Sequence, residues 1–168
     1  MDEDQLDLEY LKNFTYLEQV INEGLRIRVT IPLVARELGK DMVYNGYKFP
    51  KGSDVLLSVY SVHHDPEIYP DPDRFDPDRF APENLLKIPS KAFIPFTVGP
   101  RKCIGKNYAM LEMKIVIASV VKNFRITSEK PLSDIPYEFD MVSAAKVPLN
   151  VTLERRRRCS ELSASELI

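Results

Sequence analysis

Cysteine is scarce in this chain, with Cys103 and Cys159 the only two in 168 residues. That excludes a disulfide framework and suits a reducing compartment. The two histidines, His63 and His64, add no recognisable spacing to the cysteines, so the roughly four paired ligands of a structural zinc site are lacking. Neither sign of charge is in excess: 23 Lys and Arg stand against 25 Asp and Glu, a net charge of −2, which argues against a dedicated nucleic-acid binder. No apolar run approaches the roughly 18 residues of a membrane span, and the acidic opening residues are unlike a signal peptide. What is present, 44% hydrophobic and 29% charged residues, is the composition of one globular domain with a sizeable core.

Along the chain the hydrophobic period changes several times. Phe14, Leu17, Val20, Ile21 and Leu25 recur at spacings of three and four, which predicts a helix from about Thr15 to Arg26 with one buried apolar face. Residues 31–60 carry short apolar runs broken by Gly39, Asn45-Gly46 and Pro50-Lys51-Gly52. They predict a small sheet with a hairpin at Asn45-Gly46. Residues 65–95 are dense in proline, which fixes φ and removes amide donors, so an extended meander with at most single helical turns is expected. Within it Asp-Pro-Asp-Arg-Phe occurs twice in tandem, at 71–75 and 76–80, read as two proline-anchored turns. Helical spacing returns at Ile104, Tyr108, Leu111, Ile115 and Ala118 and runs to about Lys122. Short strands follow at 124–127, at 137–142 and through Leu149, Val151 and Leu153. Residues 1–154 read as one unit, and 155–168, with Arg155 to Arg158 in a row, as a solvated disordered tail.

One segment carries chemistry. Phe96-Thr97-Val98-Gly99-Pro100-Arg101-Lys102-Cys103-Ile104-Gly105 places a lone cysteine between two glycines, behind an arginine and just ahead of the apolar helix. Free amides at that helix start favour a thiolate. Gly99 and Gly105 allow backbone to approach a flat ligand, and Arg101 can reach an anionic group at the ligand's edge. Taken alone, a cysteine before a helix is more often a small inert hydrophobe than a ligand.

The ten residues match Phe-x-x-Gly-x-Arg-x-Cys-x-Gly and so resemble the haem-binding loop of cytochrome P450. Two further segments resemble the family in the same order. Glu23-Gly24-Leu25-Arg26 is similar to the Glu-x-x-Arg of its K helix, and Pro77-Asp78-Arg79-Phe80 to the Pro-x-Arg-Phe segment upstream of the haem loop. The residues around 78–84 and 99–114 look most like the fourth family, the fatty-acid omega-hydroxylases and their invertebrate relatives. The resemblance runs from about Tyr10 to Leu153 and covers the C-terminal portion of a complete member. It implies an α+β fold, the C-terminal part of the mainly α cytochrome P450 fold.

It also implies residue roles. Cys103 would be the proximal thiolate on the iron of haem b, pushing electron density toward the metal. Arg101 and Arg36 would face haem propionates, Phe96 would shield the sulfur side, and Gly99 and Gly105 would border the ring. Glu23, Arg26 and Arg79 would form a buried charge cluster that anchors the meander. Thr30, Ile31, Leu33 and Val34, with Ser143 and Ala144, resemble substrate-contacting stretches and serve equally well as plain core. Lys91, Lys102, Lys106 and Lys114 are similar to a basic face that receives an acidic electron donor.

The implied partners are NADPH-cytochrome P450 reductase and cytochrome b5, O2 and a hydrophobic small molecule such as a fatty acid. No nucleic acid is implied, and the place is the cytosolic face of the endoplasmic reticulum membrane. The family's distal acid and alcohol pair has no counterpart ahead of Glu23, so the chain is expected to be a fragment exposing a large apolar patch. The alternative to a monooxygenase is a catalytically inactive piece that binds haem or reductase. Departures from the family pattern are His64, Arg28-Val29 and Lys102.

Overall fold

The sequence from Thr15 to Ile27 forms helix α1, one residue longer than its periodicity predicts. The computed structural model describes residues 11, 13–139 and 142–156. The expected apolar face of α1 is only part of its packing. Phe14, Leu17, Val20 and Leu25 are half-buried, whereas the most enclosed positions are Ile21, Glu23, Arg26 and Ile27. The deepest face of the helix therefore carries an ion pair, because the meander folds over that side and supplies polar partners for it.

After α1 the chain makes two separate two-stranded antiparallel sheets rather than one. Strand β1 (Leu33–Glu37) pairs with β4 (Asp54–Ser58), from Leu33 opposite Ser58 to Glu37 opposite Asp54. The hairpin of β2 (Met42–Tyr44) and β3 (Tyr47–Phe49) lies within their connection. Its two-residue turn places Asn45 at φ 48° and Gly46 at φ 81°. Only Gly and Asn enter that left-handed region cheaply, which is why this pair marks the turn in sequence.

A short helix α2 (Val59–His63) follows β4 directly, capped by the Ser58 hydroxyl on the Ser61 amide. The meander contains a 3-10 turn at Pro77–Phe80, started by the Asp76 side chain on the Asp78 amide, and the single turn α3 (Pro82–Leu85). Around its return point Val29, Val59 and Ile94 form the small apolar core, with Val34 and Tyr60 packed against it.

Helix α4 (Lys106–Asn123) begins at Gly105. Only Ala118 of this helix is buried, while Tyr108, Ile115, Val116 and Val121 are exposed and Ile104 just ahead of it is fully so. The apolar face expected from sequence exists but has little cover among the described residues. Strand β5 (Phe124–Ser128) pairs with β8 (Val151–Arg155), and β6 (Tyr137–Phe139) with β7 (Ser143–Ala145).

Regular structure continues to Arg155 at the end of β8. Arg155 closes the β5–β8 ladder opposite Phe124, and the Arg156 amide donates to the Asn123 carbonyl at 2.8 Å. The Arg156 guanidinium also donates to the Phe124 carbonyl at 3.4 Å, at the C-terminal end of α4, where a cation suits the helix dipole. The rest of the expected tail, 157–168, lies outside the described residues.

Candidate functional site

Cys103 sits three residues before α4, exposed to solvent as a free thiol. The loop that presents it closes through its own backbone. The Cys103 amide donates to the Phe96 carbonyl at 2.9 Å, Lys102 to Gly99 at 3.1 Å and Thr97 to Ile94 at 3.0 Å. Gly99 has φ 80° with nothing within 4 Å of where a Cβ would be, so within this chain its backbone conformation is what calls for glycine. Gly105 is different: a Cβ there would rest 3.9 Å from the Cys103 sulfur.

Thr97 adopts φ 58°, which is costly for a β-branched residue, by about 1–3 kcal/mol. Its hydroxyl donates to the Arg101 carbonyl at 3.3 Å. Nothing in the sequence pattern signals this strain, since threonine is ordinarily unremarkable in a loop.

The other residues named from sequence fall in several places. Phe96 is half-buried beside the loop, and Arg101 is exposed. Arg36 lies on β1, exposed, with its guanidinium on its own Ala35 carbonyl. Neither arginine forms an ion pair with a described residue. Thr30 and Ser143, from segments far apart in sequence, are joined by a 2.8 Å bond from the Ser143 amide to the Thr30 carbonyl. Ile31, Leu33 and Ala144 are exposed, whereas Val34 packs on the core cluster.

Arg28 reaches the same region. Its guanidinium lies 4.2 Å from the Tyr137 ring centroid and donates to the Leu132 carbonyl at 3.4 Å. Of the lysines, Lys114 is committed to Glu18 at 2.7 Å, tying α4 to α1. Lys91, Lys102 and Lys106 are exposed.

An open groove of about 790 Å³ runs between α1, the 93–98 segment and α4, lined among others by Asn22, Phe96, Lys106 and Met110. Cys103, Arg101 and Arg36 do not line it. Among the described residues no group of three or more His, Cys, Asp or Glu side chains could hold a metal ion.

Glu23, Arg26 and Arg79 come together. Arg26 donates from Nε to Glu23 Oε2 at 2.7 Å and from Nη2 to Oε1 at 2.8 Å, a bidentate pair with both side chains fully enclosed. Arg79 Nε stands 3.4 Å from Glu23 Oε1, close enough for an ion pair without an aligned hydrogen bond. The carboxylate also accepts the Asp76 amide at 2.9 Å. Arg26 spends its remaining donors on carbonyls, Nη1 on His63 at 2.8 Å and Nη2 on Pro72 at 2.7 Å and Arg74 at 3.4 Å.

The tandem repeat thus does two jobs. Its first copy supplies carbonyl acceptors, and its second supplies an amide and a guanidinium. Tyr69, fully buried with Arg26 5.1 Å from its ring centroid, closes the cluster. Burial pushes its hydroxyl up to about 12.

His63 is the residue whose importance the sequence understates. It is completely buried, and its Nε2 accepts the Ile94 amide at 3.0 Å. Its ring stacks on Phe93 at 5.4 Å. Burial lowers its pKa to about 4, with the nearby His64 and Arg26 charges adding to the effect against the raising influence of the backbone bond to Arg26. His64 is also largely enclosed, its ring stacked on Tyr60 at 4.0 Å, its Nδ1 3.0 Å from the Tyr60 carbonyl and its Nε2 4.0 Å from the exposed Asp73 carboxylate, and burial lowers its pKa.

The family model for cytochrome P450 matches residues 1–153. Among curated proteins, the chain is 40% identical over 144 residues to cytochrome P450 4g1 of Drosophila melanogaster, covering 84% of this chain and 26% of that protein. It is 38% identical over 149 residues to cytochrome P450 4V2 of Rattus norvegicus, covering 89% of this chain and 28% of that one. Among solved structures, a retinoic acid-bound cyanobacterial CYP120A1 superposes with a TM-score of 0.84 at 35% identity, over 93% of this chain and 36% of that one. A cytochrome P450 haem-domain mutant gives 0.81 at 25% identity. The chain thus spans about a quarter to a third of the length of these relatives.

Proposed function

Because the chain belongs to the cytochrome P450 family, whose members are haem-thiolate monooxygenases with haem b as cofactor, we propose that it forms the proximal, thiolate-bearing part of such an enzyme. The observation that carries this reading is the Cys103 loop: an exposed sulfur, held by a backbone bond to Phe96, at the free-amide end of an 18-residue helix. Haem b, when bound, supplies the oxygen and one-electron chemistry.

The residues present fit that group. Cys103 would be its protein ligand, with the amides that follow tuning the sulfur. Gly99, Gly105 and Phe96 would border the ring, and the guanidiniums of Arg101 and Arg36, without a carboxylate partner among the described residues, suit carboxylate groups on its edge. Exposed Val98 and Ile104 offer apolar surface beside the sulfur. Glu23, Arg26 and Arg79 would hold the meander in place and touch no substrate. Thr30, Ile31, Leu33 and Val34, with Ser143 and Ala144, would contribute one side of the substrate space.

In this reading the substrate is a hydrophobic molecule such as a fatty acid, hydroxylated with O2. Electrons come from NADPH-cytochrome P450 reductase, with cytochrome b5 as a second donor. Lys91, Lys102 and Lys106 suit contact with an acidic donor protein. The location is the cytosolic face of the endoplasmic reticulum membrane. Among the described residues no helix is long and apolar enough to cross a membrane.

The relatives' greater length favours a second reading, in which the 168 residues alone bind haem or reductase without turnover. Titrating haem into the purified chain and reducing it under carbon monoxide tests both. The proposal expects a thiolate-type Soret band that Cys103→Ser abolishes, and the absence of that band in the unaltered chain defeats haem binding by this part alone. Turnover of an added fatty acid by the loaded chain would overturn the inactive reading.

A further inference from the structure

Two features described separately above meet at one residue. The buried charge cluster ends on the His63 carbonyl through Arg26 Nη1 at 2.8 Å, and the His63 imidazole begins the path to the thiolate by accepting the Ile94 amide at 3.0 Å. From Ile94 the path is short. Its carbonyl accepts the Thr97 amide, and the adjoining Phe96 carbonyl accepts the Cys103 amide at 2.9 Å. We propose that His63 is a positioning residue for Cys103, coupling the Glu23–Arg26 cluster to the root of the thiolate loop.

The chemistry of the contact requires an acceptor of this reach. The Ile94 amide is buried in the core cluster, where an unpaired donor is costly, and strand pairing offers it no partner. Imidazole accepts only when neutral, and enclosure with the Arg26 charge beside it keeps the ring neutral. Acceptance at Nε2 puts the proton on Nδ1, a buried atom whose nearest acceptor is the Arg26 backbone, close enough to raise the pKa but not aligned as a hydrogen bond among the described residues. The ring therefore has at most a poorly aligned partner on one side while Nε2 serves the loop. Phe93, packed on the ring at 5.4 Å and on Phe80 at 4.6 Å, stops it from turning.

This role rests on the haem-thiolate reading, and the experiment separates the two. In the haem-free 168-residue chain, amide hydrogen exchange is followed at Ile94, at Cys103 and, as reference, in β5. His63→Gln can place Oε1 where Nε2 lies, so exchange at both amides stays near that of the unaltered chain. His63→Asn stays polar but falls short of Ile94, and exchange at both should quicken roughly tenfold or more with β5 unchanged.

His63→Leu should do the same. If it fails to fold, the Asn variant decides. Unchanged Cys103 exchange in His63→Asn, or acceleration shared equally by β5, overturns the proposal. In the haem-loaded chain, His63→Asn should lose the thiolate-type carbon monoxide band in favour of one without thiolate, and His63→Gln should keep it. An unaltered chain that shows no thiolate band defeats the haem reading while the exchange result still judges His63.

Discussion

Replacing Glu23 by Gln tests whether the buried charge cluster holds the meander onto α1. The carboxylate takes two bonds from Arg26 and one from the Asp76 amide, with Arg79 at 3.4 Å. Gln keeps the shape, removes the charge and turns an NH2 group toward one of these donors. Arg26, completely enclosed, is left without its counter-charge. Breaking one side of such a pair costs about 3–5 kcal/mol, against a total domain stability of about 5–15 kcal/mol. With a urea dependence of about 2 kcal/mol per M, the midpoint should fall by roughly 1.5–2.5 M at an unchanged slope. Far-UV circular dichroism during urea titration reads this directly. Glu138→Gln is the control: it breaks the exposed pair with Lys146 at 2.9 Å, whose contribution is about 0–1 kcal/mol. A double change of Glu23→Leu with Arg26→Met should recover part of the loss, because no guanidinium then stays buried and unpaired at position 26. A Glu23→Gln midpoint no lower than that of Glu138→Gln would refute the reasoning.

Gly99→Ala should destabilise the haem-free chain by about 1 kcal/mol through its positive φ, whereas Gly105→Ala, at φ −83°, should cost less. Thermal unfolding of both variants checks the order. Acid should weaken the fold through His63. Its folded-state pKa is depressed, so its contribution is complete above the ordinary value of 6.5 and is lost as the pH falls toward about 4, where the unfolded chain has bound a proton that the folded chain refuses. The loss amounts to about 3 kcal/mol over that window. Urea midpoints measured across it should slope in the unaltered chain and flatten in His63→Gln, and equal slopes would contradict the assignment.

Much of this architecture is legible in the sequence because local physics dictates it. The α1 period, the Asn45-Gly46 turn and the proline-dense meander each follow from backbone preferences acting over a few residues. The Cys103 loop is legible because its pattern is dense in residues with special backbones or chemistry.

What could not be read depends on distant segments. The enclosed side of α1 bears Glu23 and Arg26 because residues 72–76 fold over it, and no helical period encodes that. His63 carries no sequence signal for its role because its partner, the Ile94 amide, lies 31 positions away and has no side-chain signature. The division of residues 31–60 into two sheets was also hidden, since pairing of β1 with β4 is set by register rather than by composition. The Arg155 and Arg156 contacts were masked by the run of four arginines, whose charge suggested a solvated end.

The tandem Asp-Pro-Asp-Arg-Phe has a consequence for how such a chain can change. Losing one of the two copies would leave an intact Asp-Pro-Asp-Arg-Phe joined to Pro70. Any search for the motif would still find it. The single copy left could nonetheless fill only one place, either the Pro72 and Arg74 carbonyls under Arg26 Nη2 or the Asp76 amide and Arg79 guanidinium beside Glu23. Here a deletion that is silent to pattern matching removes one half of the shell around a buried ion pair, and the duplicated letters are held in place by two unlike duties.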